Sequence, residues 1–526
     1  MADLHLILPG AVPSEGGAQE VGNKAWNLMR MAQAGLPVPP AFVLPTAWCR
    51  RPDRGADLRR TLAAGIARLE TATGLTFGAR RRPLLVSVRS GAAVSMPGMM
   101  ETVLDVGLNM ETVEGLIRQT GNPRLAWDSF RRLLQGYAEV VANLPTAPFD
   151  TLVADALRSA EADNERELDH RALRALTMDM LDTYQTLTGT AFPADPLEQL
   201  TAAAEAVFRS WDAPKAASYR RMNGISDDIG TAVTVQTMVF GNAGGASGSG
   251  VGFTRNPATG VRELYFDFQF NGQGEDVVAG RQKLRDNDRL RLVLPGVWSR
   301  LSAICHELET LFGDAQDFEF TVQSGTLFLL QARRAKRTDW AAVTIAADMV
   351  EEGLLSPADG LARLVGIDLD HIVRTSFAPP VPPTLAIAQV ASIGAASGAI
   401  ALDSEAVRRL TAAGTPAILV RRDTATSDIE GMALAAGIRT ATGGRTSHAA
   451  VVARQLGKVC LVACPELEID LERRQCRIGG TLLNEDDLLS LDGNTGAVHA
   501  GRLVVVTERP ERALAIIAKW QPAAAA

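Results

Sequence analysis

Between Phe377 and Thr384 the chain reads Phe-Ala-Pro-Pro-Val-Pro-Pro-Thr. Prolines so closely spaced cannot enter a helix interior or a central strand, because each lacks a backbone N–H and fixes φ. They favour an extended polyproline geometry. The run therefore divides the chain, and at 526 residues division is expected, since a single core of that size is unusual. The expected plan is a large nucleotide-binding region over 1–340 with a helical insert at about 111–212. A helical and Pro-rich linker over 341–384 follows, then a compact unit over 385–505 and a C-terminal helix and tail over 506–526.

Composition excludes several classes of partner. A net charge of −7 and a pI near 5.6 give no general attraction to nucleic acid or to an anionic membrane. No run approaches the roughly 18 apolar residues of a membrane span, and the N-terminus has no basic-then-apolar pattern. The five cysteines, Cys49, Cys305, Cys460, Cys464 and Cys476, are scattered. Cys460 and Cys464 have no second Cys/His pair at zinc-site spacing. The expectation is a reduced, cytoplasmic protein.

Along the chain, Gly22-Asn23-Lys24-Ala25-Trp26-Asn27-Leu28 opens a helical pattern that stops at Gly35 and is followed by Pro37, Pro39 and Pro40. Lys24 at a glycine-led helix start is either a phosphate ligand or a solvated lysine. Leu84-Leu85-Val86-Ser87-Val88-Arg89 alternates like a strand and runs into Ser90-Gly91 and the loop Ser95–Met100. An arginine there suits a phosphate clamp, because its fork grips two oxygens, and it equally suits a salt bridge. Residues 111–212 show helical spacing, with Trp127, Phe130, Leu133, Leu134 and Tyr137 as a core face. Val233–Val239 alternates as a strand, and Gly241–Gly252 then holds six glycines in twelve positions. Such a stretch is a linker, or a lid whose backbone approaches phosphates closely.

Gln316-Asp317-Phe318-Glu319-Phe320-Thr321 carries the most specific local pattern. Residues two apart on a strand share a face, so Asp317 and Glu319 point the same way. Two such carboxylates side by side call for a cation, and Mg²⁺ with phosphate oxygens is the usual answer. After Ser324-Gly325, the run Leu329-Leu330-Gln331-Ala332-Arg333 places Gln331 and Arg333 on one face of a returning strand. The hairpin reads as a Mg–nucleotide site or as a salt-bridged surface.

Beyond the prolines, Gly443-Gly444-Arg445-Thr446-Ser447-His448 leads into the small-residue run Ala449–Ala453. The glycines give a tight loop, and Thr446 or Ser447 can cap the helix that follows. His448 sits where the unpaired N–H groups of a helix start favour an anion, so a phosphate carried on it would be stabilised. A capping or packing histidine is the alternative.

Taken together these segments resemble the pyruvate, phosphate dikinase and phosphoenolpyruvate-utilising dikinase family. The collinear matches are V-S-V-R-S-G-A with S-M-P-G-M-M (86–100), S-Y-R-R-M-N (218–223), V-Q-T-M-V-F-G-N (235–242), G-F-T-R-N-P-A-T-G (252–260), G-Q-G-E-D-V-V-A-G (272–280), Q-D-F-E-F-T (316–321), L-L-Q-A-R (329–333) and G-G-R-T-S-H-A-A-V-V-A-R (443–454). The resemblance implies an α+β and α/β multidomain chain, with an ATP-grasp nucleotide domain followed by a swivelling phosphohistidine domain of β/β/α type. It implies ATP binding by Lys24, Arg89, one of Arg131 and Arg132, Gln236, Gly248, Gly250, Asp317, Glu319, Gln331 and Arg333. Glu319, Asp317 and Gln331 would serve Mg²⁺, His448 would carry the phosphoryl group with Arg333 and Arg89 assisting, and Thr446 would be a regulatory position.

The departures are Arg445 where relatives carry methionine, Asn23 in place of a glycine, and a less faithful segment at Ala391–Gly398. The family's pyruvate-binding barrel does not follow residue 505. The expectation is therefore a dikinase-type phosphotransferase that forms AMP and passes the phosphoryl group to a phenol or alcohol on a separate acceptor-binding subunit. The ATP/His half of a split pyruvate, phosphate dikinase is the alternative, and a non-catalytic ATP-binding regulator is a third reading.

Overall fold

The computed structural model describes residues 4–13, 15–51, 54–94, 96, 100–274, 286–425, 428–444 and 447–520. It is a mixed α/β chain that divides into two compact units. One is Met1–Ser247 with Thr321–Ala332, and the other is Gly248–Phe320 with Arg333–Ala526. No described helix is long and apolar enough to cross a membrane.

The first unit is built on β1 (His5–Ile7), β2 (Ala41–Leu44), β5 (Val86–Gly91), β6 (Thr102–Val106) and β7 (Ala232–Thr237), with the short pair β3 (Thr76–Phe77) and β4 (Pro83–Leu84) apart. Sheet order is β1-β2-β7-β5-β6, antiparallel throughout. The helical reading of 111–212 holds. Asn122 caps Pro123–Val140 by accepting from the Leu125 N–H, and Asp169 caps His170–Thr188. The face Trp127, Phe130, Leu133, Leu134 and Tyr137 is buried, with Phe192 edge-on to Tyr137 and Tyr184.

In the second unit β8 (Gly248–Phe253), β9 (Tyr265–Phe270), β10 (Gln316–Gln323) and β11 (Thr326–Arg334) form a sheet in the order β11-β10-β8-β9, its β10–β11 hairpin shared with the first unit. Here the reading of Gly241–Gly252 as one glycine loop needs correction, since a strand begins at Gly248. A Cβ on Gly248 would sit 2.2 Å from the Phe268 ring, on Gly250 2.3 Å from Phe320, and on Gly252 2.7 Å from Phe318. These glycines leave room for a layer of phenylalanine rings, and Phe268 and Phe320 stack within it at 5.8 Å. Arg255, wholly buried, is held by Glu309 at 2.9 Å and Glu352 at 2.7 Å.

The segment expected to be a helical and Pro-rich linker does hold a helix, and it is also tied to a distant part of the chain. Thr338 caps the helix Asp339–Glu351, and β12 (Arg374–Phe377) pairs with a strand from the far end of the chain, Val505–Glu508. The final helix, Glu511–Ala518, buries Ala513 and Ile517 with Val343, Ala346 and Ala347, while Arg512 bonds Asp348 at 2.8 Å. Local pattern could not show this, because the partners lie more than a hundred residues apart.

Between β12 and its partner β24 (Val505–Glu508) lie β13 (Ala386–Ile387), β14 (Gln389–Ser392), β15 (Ala395–Ala401), β16 (Ala417–Arg421), β17 (Gly437–Thr440), β18 (Val459–Val462), β19 (Leu467–Asp470), β20 (Gln475–Ile478), β21 (Thr481–Asn484), β22 (Leu488–Asp492) and β23 (Ala497–Ala500). Eight of them make a sheet ordered β13-β23-β22-β15-β16-β17-β18-β14, with β15 to β18 parallel. Helices Ser404–Ala412, Ile429–Leu434 and His448–Gln455 cover one face, and the β19-β20-β21 sheet covers the other. The layers are β, β and α, as expected. Cys460 packs into the helical face and Cys464 into the other, so the two are no metal pair.

Candidate functional site: a carboxylate sheet and a histidine at a helix start

Alternation along β10 turns Phe318 and Phe320 into the ring layer and leaves Asp317 and Glu319 on the opposite face. Asp317 is 7% exposed, and its Oδ2 accepts from Arg333 Nε at 2.9 Å. Burial pushes the Asp317 carboxyl above its usual range and Glu319 adds to this, while the neighbouring Arg333 charge opposes both. Arg333 itself is held up: burial would lower it, but Asp317 outweighs that. Gln331 is two residues before Arg333 on β11 and is also buried.

Two further groups on this face were missed from sequence. Phe268 pairs with Gly250 in the ring layer, so Asp267 and Gln269 turn the other way, to the side of Glu319. Both are buried. The signal was present in Tyr265-Phe266-Asp267-Phe268-Gln269-Phe270, where a polar residue recurs between aromatics, but only the pairing with β8 shows which face they join. A pair of carboxylates with an amide, on a wall shared with an arginine, is the donor set that Mg²⁺ takes when phosphate oxygens complete its shell. Asp317, Glu319 and Gln331 fit that ion.

In the first unit, Gly22 interrupts the helix Gly17–Gln33 at φ 77°. A Cβ there would lie 2.1 Å from the Gly91 carbonyl oxygen, so only glycine allows this approach. The Asn23 N–H donates to the Ala92 carbonyl at 2.9 Å, and Lys24 Cβ lies beside Gly91. The helix start carrying Lys24 is thus fixed against the end of the strand that carries Arg89. Gln236, in the middle strand β7, is buried and donates to the Pro39 carbonyl at 3.3 Å.

The two adjacent arginines are separated by their surroundings. Arg131 is buried between Asp128, at 2.7 Å, and Glu165, at 2.6 Å, as a structural ion cluster. Arg132 bonds Asp128 at 3.2 Å and keeps 18% of its side chain exposed. Burial acts to raise Asp128, but Arg132, Arg131 and the more distant Arg124 outweigh it and hold the carboxyl at about 2.

His448 is the first residue of the helix His448–Gln455, and Ser447 is its cap, accepting from the Ala450 N–H at 3.4 Å. Thr424 Oγ1 lies 3.3 Å from His448 Nδ1. That contact engages Nδ1 rather than Nε2. Asp428 steadies the loop that carries Thr424, accepting from the Ala425 N–H at 2.9 Å. Neither Thr424 nor Asp428 could be tied to His448 from sequence, being some twenty residues distant. Thr446 and Arg445 lie outside the described residues, as does most of G-Q-G-E-D-V-V-A-G.

Comparison with known proteins gives this arrangement a family. Residues 54–298 match the family described as pyruvate phosphate dikinase, AMP/ATP-binding domain, and residues 414–496 match PEP-utilising enzyme, mobile domain. The chain is 41% identical over 491 residues to pyruvate, phosphate dikinase of Clostridium symbiosum, covering 91% of this chain and 56% of that one. It is 38% identical over 535 residues to that of Rhizobium meliloti (strain 1021), covering 98% and 60%. The chloroplastic pyruvate, phosphate dikinase 1 of Zea mays is 43% identical over 490 residues, covering 92% and 52%. The chain thus spans little more than half the length of these relatives. With matches to an AMP/ATP-binding domain and a mobile domain in the same order, and relatives of that name aligned over 91–98% of its own length, the chain belongs to the pyruvate, phosphate dikinase family.

Proposed function

We propose that the chain uses ATP to phosphorylate His448 and passes that phosphoryl group to a small-molecule acceptor. The observation that carries this reading is the setting of His448, at a capped helix start with Nδ1 engaged by Thr424, beside a different sheet from the one that bears Asp317 and Arg333. Lys24, Arg89, Arg132 and Arg333 would supply positive charge to the triphosphate, and Asp317, Glu319 and Gln331 would hold Mg²⁺. The ion, when bound, offsets charge on the phosphate oxygens. Neutral imidazole Nε2 attacks the β-phosphorus, the linkage between the α- and β-phosphoryls breaks, and AMP leaves. The γ-phosphoryl departs as diphosphate or phosphate, according to whether phosphate or water accepts it. The N–P bond then breaks as the acceptor's oxygen takes the phosphoryl group, which makes one hard transfer into two easier ones.

The names of the relatives favour pyruvate as the acceptor. A phenol or alcohol, held on a separate subunit, is the other reading. Incubation with β-³²P-ATP and Mg²⁺ should give acid-labile label on the wild type and none on His448→Ala. Equal label on both overturns the relay. Addition of pyruvate, then of phenol, to the labelled protein identifies the acceptor by which one discharges it.

A further inference from the structure

We propose that the bulged edge strand β14 and Arg454 form a docking surface, through which the mobile domain seats on the Tyr265–Phe253 end of the carboxylate sheet. Among the described residues strand β14 is the last in its sheet, and one of its edges has no strand partner there. Its pairing with β18 shifts register between Val390 and Ser392, which leaves Ala391 outside the ladder. Both carbonyls at the bulge are used elsewhere. Val390 accepts from the Tyr265 hydroxyl at 3.0 Å, and Ala391 accepts from Arg454 Nη1 at 2.8 Å.

Arg454 is 7% exposed, and its guanidinium carbon lies 5.8 Å from the Phe253 ring centroid, within the range of a cation–π contact. Phe253 and Tyr265 are directly paired across β8 and β9 and meet edge to face at 5.9 Å. Thr254, next to Phe253, donates its N–H to Gln316, the residue before Asp317. The seat therefore lies at the carboxylate end of the sheet. His448 starts the helix that contains Arg454 and stands about 9 Å along its axis at the usual rise. A contact at Arg454 thus fixes the position of the histidine's helix relative to the carboxylates. Arg454 is a positioning residue, and its catalytic consequence rests on the phosphotransfer reading above.

The test uses the full chain and the variants Arg454→Gln, Arg454→Lys and Tyr265→Phe. Hydrogen–deuterium exchange should rise over 265–270 and 389–392 in Arg454→Gln and Tyr265→Phe, with the rest of the chain unchanged, and return towards wild type in Arg454→Lys. In single turnover, acid-labile labelling from β-³²P-ATP should slow about tenfold in Arg454→Gln and recover in Arg454→Lys, while the nucleotide Kd stays within about twofold. Unchanged exchange in both Arg454→Gln and Tyr265→Phe overturns the docking surface. So does a nucleotide Kd that rises in proportion as labelling slows, because that marks Arg454 as a ligand. If the wild type takes no label, the relay reading fails while the exchange data still decide on docking.

Discussion

At the scale of single residues, the carboxylates separate into those that stabilise the fold and those that burden it. Asp128 is held at about 2 in the folded chain against an ordinary value of 3.8. Its folded value lies below its unfolded one, so its stabilisation, about 2.5 kcal/mol, is present above pH 4 and lost as pH falls through 2. Urea titrations should show that loss in the wild type. Asp128→Asn should be less stable by about 2–4 kcal/mol at pH 7, because Arg131 stays buried beside only one carboxylate, and its acid limb should flatten.

Asp317 has the opposite sign. Burial raises its folded value, so any stabilisation it gives lies at low pH and is lost as pH rises through that raised value. Asp317→Asn should leave stability at pH 7 unchanged or slightly higher while weakening Mg–ATP binding at least tenfold, read by calorimetry. In the wild type, cation binding should fall on acidification from a higher pH than an ordinary carboxylate would give.

At the scale of elements, the glycines of β8 are explained by packing. Gly250→Ala would drive a methyl group to 2.3 Å from the Phe320 ring and 2.8 Å from the Asp267 carbonyl. The expected cost is about 2–3 kcal/mol in chemical denaturation. Phe320→Leu in the same chain should recover part of it, which a glycine kept only for phosphate contact would not allow. Sequence showed the glycines and the phenylalanines separately, as a flexible loop and as two strands. Their mutual fit is a cross-strand property, and no window of consecutive residues contains it. The carboxylate hairpin was legible for the converse reason: a period of two places Asp317, Glu319, Gln331 and Arg333 by face without any knowledge of neighbours.

At the scale of the molecule, two compact units and a strapped mobile domain should unfold in more than one step, because each unit has its own core. Differential scanning calorimetry should resolve at least two transitions. ATP with Mg²⁺ should raise the one that contains the carboxylate sheet, by an amount set by ligand concentration over Kd. His448→Ala should leave the transitions in place while abolishing the label. The strap itself, β12 against β24 and Arg512 against Asp348, ties the entry and exit of the mobile domain together.

The sequence by itself determined the helical stretch and which side chains of the carboxylate hairpin share a face, because these follow from local sterics and periodicity. Tertiary structure alone decided which glycines serve aromatic rings, which of two adjacent arginines is locked in an ion cluster, that Thr424 meets His448, and that the chain's last strand returns to its linker. Each of those depends on contacts between residues distant in sequence, and such contacts arise only when separate elements pack against one another.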